Sequence, residues 1–128
     1  MTTMRDPRAA YQNASVNTAS PLRLFVMLFD RLVLDCERGL RAVQAGNRQE
    51  ANTHFQHGQR IVFHLISTHE VDEMPAGRQL LALYDWISRQ LIKANVEQDE
   101  KAAAEALLRS SELADTFKQA ALLGAVAS

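Results

Sequence analysis

The sequence predicts an all-α protein, an antiparallel up-down four-helix bundle preceded by a flexible N-terminal arm. Three observations carry that expectation. The 128 residues hold 19 Ala and 16 Leu against 18 Val, Ile and Thr together, and Ala and Leu lose less side-chain freedom in a helix than β-branched residues do. Apolar residues recur at three- and four-residue spacing through four segments of roughly 20 to 25 residues each. Gly and Pro are scarce and mostly fall between those segments, where helices start and stop.

Residues 1–20 read as the arm, small and polar around Tyr11 and Val16. Ser20-Pro21 opens the first long helix, with serine as N-cap and proline at the first helical position. That helix runs to about Ala45, and Gly46 is its expected C′ residue. Asn47 caps the second, with Glu50 three residues on to complete a capping box, and the helix continues to about His69. A polar connection through Met74-Pro75 leads to a third helix from Gly77 to about Val96. Asp99 then caps a fourth from Lys101 to about Leu123, after which Gly124 to Ser128 are expected to fray. Short links between long helices imply antiparallel neighbours.

The expected core stripes follow. Leu22, Phe25, Phe29, Leu32, Cys36, Leu40 and Val43 share one face of the first helix. Ala51, Phe55, Gly58, Val62, Leu65 and Ile66 serve the second, and Leu80, Tyr84, Ile87, Leu91 and Ala94 the third. The fourth supplies Ala103, Leu107, Ala114, Phe117 and Ala121. Gly58 lies inside a helix at a cost of about 1 kcal/mol against alanine, which suggests a close helix crossing.

Several function classes are disfavoured. The 14 basic residues nearly cancel 15 acidic ones, so no concentrated basic face for nucleic acid is expected. One cysteine, Cys36, excludes an internal disulfide and fits a reducing compartment. The polar start lacks a secretory signal, and no apolar run is long enough for membrane insertion. Neither cofactor nor metal is expected. His54, His57 and His64 share a side of the second helix but lack a carboxylate at ligand spacing. Cys36 sits on the core stripe beside Asp35 and Glu37, a setting that raises a thiol pKa and makes it inert.

The first helix carries more apolar surface than a core needs. Between Leu22 and Leu34, ten of thirteen residues are apolar, the exceptions being Arg23, Asp30 and Arg31. With Phe25, Phe29, Leu32 and Cys36 defining the core direction, Leu24, Met27, Leu28 and Leu34 fall on the far side or its flanks. Leaving leucines and methionines exposed forgoes roughly 1.5 to 3 kcal/mol each. A patch of this kind marks a binding face. The arm, a second copy or a partner peptide are the available covers.

Several short motifs occur together, in order. Ala10-Tyr11 precedes Ser15-Val16, then Ser20-Pro21-Leu22-Arg23-Leu24 and Met27-Leu28-Phe29-Asp30. Leu83-Tyr84-Asp85-Trp86, Leu91-Ile92-Lys93-Ala94-Asn95 and Leu113-Ala114-Asp115-Thr116-Phe117-Lys118 follow. The chain thereby resembles the flagellar secretion chaperone FliS family from about residue 9 to 121. The resemblance implies a cytoplasmic four-helix bundle, not an enzyme, that holds the disordered C-terminal segment of flagellin. Such a chaperone blocks premature polymerisation and presents the subunit to the type III export gate. It also implies that the arm covers part of the groove without client, and that Tyr11 helps dock on the export-gate protein FlhA.

Leu22, Leu24, Met27 and Leu28, with Ala94 and Asn95 near the end of the third helix, match the region expected to form the client groove. Whether a second regulator, such as an anti-sigma factor or a co-chaperone, shares it stays open. Three positions depart from the family pattern: Arg31 for a small residue, Phe117 for a tryptophan, and Arg8 for an apolar residue. The alternatives are a homodimeric helical adaptor paired through the first-helix stripe, and a small bundle enzyme or phosphotransfer domain using His57 or His64.

Overall fold

The computed structural model describes residues 21–70 and 76–127, with side chains to residue 124. The four helices are α1 (Pro21–Gln44), α2 (Arg48–Thr68), α3 (Gly77–Glu97) and α4 (Glu100–Ala127). Each end is set by local chemistry. Gly46 adopts φ +72°, and the N–H groups of Gly46 and Asn47 donate to Val43 and Ala42 carbonyls at 3.0 and 2.8 Å. That pair is a Schellman closure, the left-handed turn that glycine adopts without strain.

Asn47 then caps α2, its Oδ1 accepting from the Glu50 N–H at 3.1 Å. The return bond of the capping box comes from the Asn47 side-chain amide to Glu50 Oε2 rather than from the Asn47 main chain. Asp99 caps α4 by accepting the Ala102 N–H at 3.0 Å. Gln98, which ends α3, takes a left-handed φ of 51° without being glycine, and its side-chain amide donates to the Asn95 carbonyl at 2.7 Å. Helix α4 runs on to Ala127, past the Leu123 expected from sequence. Gly124 does not stop it, because the Ala-rich sequence on both sides keeps a high helix propensity.

Each helix packs on its sequence neighbours, and α1 packs most extensively on α4, so the helices close into a ring. Pairings between elements fix the antiparallel sense. Along α1 and α2, Asp35 meets His57 and Gly39 meets Phe55. Between α1 and α4, Gln44 bonds Glu100 at one end and Lys118 faces Asp30 at the other.

The core is Phe29, Leu32, Cys36, Phe55, Val62, Leu65, Tyr84, Ile87 and Leu91, with alanines of α4. Phe117 fills the place expected for an aromatic, its ring 4.9 Å from Phe29 and 5.8 Å from Phe25. Most expected core positions are buried or half-buried. Additions are Ile61, Ala102, Ala106, Ser110 and Leu113.

The glycine expectation is corrected. A Cβ on Gly58 would sit 3.4 Å from both Leu32 and Leu91, ordinary contact distance. The close approach is at Gly39, where a Cβ would fall 2.3 Å from the Phe55 ring.

Candidate functional site

Helix α1 carries two stripes side by side. The first, from Phe25 through Phe29, Leu32 and Cys36, enters the core. The second follows the same three- and four-residue alternation one position away: Leu24, Leu28, Arg31, Asp35, Arg38, Ala42 and Ala45. Asp35 and its partner His57 locate this second stripe along the seam with α2. At its early end Leu24 is 38% exposed and Met27, on the rim, 65% exposed. Leu22 and Leu28 are half-buried, each presenting one edge.

Below that apolar end lies the one charged side chain in the bundle interior among the described residues. Asp35 is fully buried. Its Oδ2 is hydrogen-bonded to His57 Nδ1 at 2.5 Å, while Oδ1 accepts no hydrogen bond from the described residues and has the Arg31 Nε 3.4 Å away. Arg31 and His57 both reach the solvent side, so the carboxylate is held by two groups that cover it from outside. This is what the arginine departure at position 31 does: it charges the middle of the seam instead of closing the apolar end.

The two other expected groove residues separate. Ala94 is completely buried in the core and offers no side-chain surface, so its assignment to an open groove is corrected. Its spacing on the core stripe of the third helix accounts for its burial. Asn95 is half-buried and donates through Nδ2 to Asn52 Oδ1 of α2 at 2.8 Å. It ties α3 to α2 instead of capping its own helix. Tyr11 and Arg8 lie outside the described residues.

Sequence reasoning passed over a second group of exposed apolar side chains. Phe63 on α2 is exposed, and Ile92 and Val96, four residues apart on one side of α3, are exposed about 16 Å further along the pair. An apolar residue off the stripe of its own helix was the available signal.

Among the described residues no group of three His, Cys, Asp or Glu side chains is placed to hold a metal. Burial pushes the Cys36 thiol up to about 12, with Asp35 and Glu37 adding to the rise against a contact to Ser110. No described helix is long and apolar enough to cross a membrane. What the geometry offers is surface.

Comparison with known proteins agrees with that picture. The family described as Flagellar protein FliS matches residues 4–123. The flagellar secretion chaperone FliS of Bacillus subtilis (strain 168) is 28% identical over 117 residues, covering 91% of this chain and 87% of the relative. The protein of that name from Escherichia coli (strain K12) is 29% identical over 113 residues, covering 85% and 82%. With a helical bundle, an apolar outer stripe and a family match over nearly its full length, the chain belongs to the FliS family of flagellar secretion chaperones, which are not enzymes.

Proposed function

We propose that this protein is an export chaperone that binds the disordered C-terminal segment of flagellin in the cytoplasm. It keeps that segment from polymerising early and brings it to the FlhA export gate through the arm around Tyr11. One observation carries the reading: Leu24 and Met27 stand exposed, with Leu22 and Leu28 beside them, on a helix whose neighbouring stripe already enters the core. A disordered client loses chain entropy on binding and needs a broad apolar surface to offset it. A helix-in-groove contact reads apolar anchors at this spacing, and the pliable thioether of Met27 accommodates more than one packing.

Calorimetry tests the reading with a flagellin C-terminal peptide of about 40 residues, long enough for more than one helix of ordinary length. Wild type and Leu24→Glu are compared, with circular dichroism as the folding control. The expected result is tight binding with a negative heat-capacity change, lost in a variant that keeps its helix content. No binding by folded wild type, together with a dimer in sedimentation, would replace the chaperone reading with the adaptor.

A further inference from the structure

The second stripe of α1, along the seam with α2, changes character along its length. Leu24 and Leu28 give way to Arg31 and Asp35, and then to Arg38, Ala42 and Ala45. At that far end Arg38, Arg41, His54 and Glu50 line a pocket of about 430 Å³ together with Ala42 and Ala45. Its one carboxylate is already engaged: Glu50 accepts from the Asn47 amide at 3.1 Å and faces His54 Nε2 at 3.6 Å. Among the described residues Arg41 reaches only Glu37, at 3.9 Å. Arg38 makes no ion pair or hydrogen bond among the described residues. The pocket therefore holds guanidinium charge that its own residues leave largely uncompensated.

We propose that this pocket receives an acidic side chain of the same segment whose apolar residues cover Leu24, Met27 and Leu28, and so sets the register of the bound chain. The proposal rests on the client-binding reading and adds the chemistry of a second contact to it. Met27 and Arg38 are eleven residues apart on one helix, about 16 Å at the helical rise. Eleven residues is also close to three full turns, so a helical occupant would carry anchors and acid on one face. The occupant is thus an amphipathic segment with an Asp or Glu about eleven residues from its apolar anchors.

Guanidinium groups suit a carboxylate because two parallel N–H donors match its two oxygens. The exposed Ala45, between them on the helix face, leaves room for close approach of a second backbone. The whole protein has a net charge of −1, so general attraction does not favour an acidic peptide. Any preference for one must come from the pocket.

The test uses the full chain and four labelled helix-forming peptides, read by fluorescence anisotropy. The first has leucine anchors and glutamates about eleven residues away on the same face. The second has lysines for the glutamates, the third moves the glutamates to the opposite face, and the fourth has alanines for the leucines. The first should bind about fivefold to tenfold tighter than the second or third, with the difference shrinking at high salt. In Arg38→Glu/Arg41→Glu the lysine peptide should bind tighter than the glutamate one. Both arginines are exposed, so circular dichroism should be unchanged. Equal binding of the first three peptides, or a preference that survives the charge reversal, overturns the pocket while leaving the apolar groove standing. Alanine and leucine peptides binding alike, or no peptide binding at all, would overturn both.

Discussion

At the residue scale, two glycines inside helices look alike in the sequence and differ in the fold. Gly39 has the Phe55 ring where a Cβ would go, at 2.3 Å, whereas Gly58 has contacts no nearer than 3.4 Å. Gly39→Ala must push an aromatic ring that is itself fully buried, and overpacking of this kind costs about 1 to 3 kcal/mol. Gly58→Ala gains up to about 1 kcal/mol of helix propensity and meets only ordinary contacts. Thermal melts of the two variants should move in opposite directions, or leave Gly58→Ala unchanged while Gly39→Ala falls. Equal losses would contradict the packing. A like contrast holds at Asp35. A carboxylate on the stripe beside the core has no sequence signal for burial, yet it is completely buried under Arg31 and His57. Neither Gly39 nor Asp35 was legible, because both depend on what the neighbouring helix places opposite them.

At the scale of the element, helix ends were the most legible part of the chain. Gly46, Asn47 and Asp99 all act where their chemistry predicts, since capping is decided within a few residues. Asp99 also makes α4 sensitive to acid. The Ala102 N–H donated to its carboxylate, opposed by desolvation and helped by Lys93 and Lys101, holds its pKa below the ordinary 3.8. A carboxyl with a folded pKa below its unfolded one contributes stability above the unfolded value, and loses it as pH falls through the folded value. Asp99→Ala should therefore lower the melting temperature at neutral pH, with the gap to wild type closing below about pH 4. A gap that stays constant into acid would show that the charge is irrelevant. The far end of α4 was less legible, because a lone glycine in an alanine-rich run does not settle whether a helix continues. The stripe of α1 was legible as an excess of apolar residues; its division into an apolar end, a buried carboxylate and an arginine pocket needed α2 in place.

For the whole molecule, four helices closed into a ring leave Cys36 at the seam of α1 and α4, fully buried and 3.8 Å from Ser110. It is the only cysteine in the chain, and its thiol is pushed up to about 12. Thiolate chemistry at neutral pH therefore requires the ring to open. Labelling by a thiol reagent should be slow in the native protein, faster in Gly39→Ala and unaltered in Leu24→Glu, whose change lies on the outer stripe. Rapid labelling of the folded wild type would contradict the burial. The exposed apolar end at Leu24 and Met27 sits outside the ring, and a segment docked there adds to the bundle without parting α1 from α4. The lone thiol thus works as a clock for bundle opening, read at a place the docked segment does not touch. Loading that stabilises the closed bundle would slow the clock, and release that requires prying the helices apart would speed it. The same sulfur distinguishes a client that peels off the surface from one freed by unfolding its carrier.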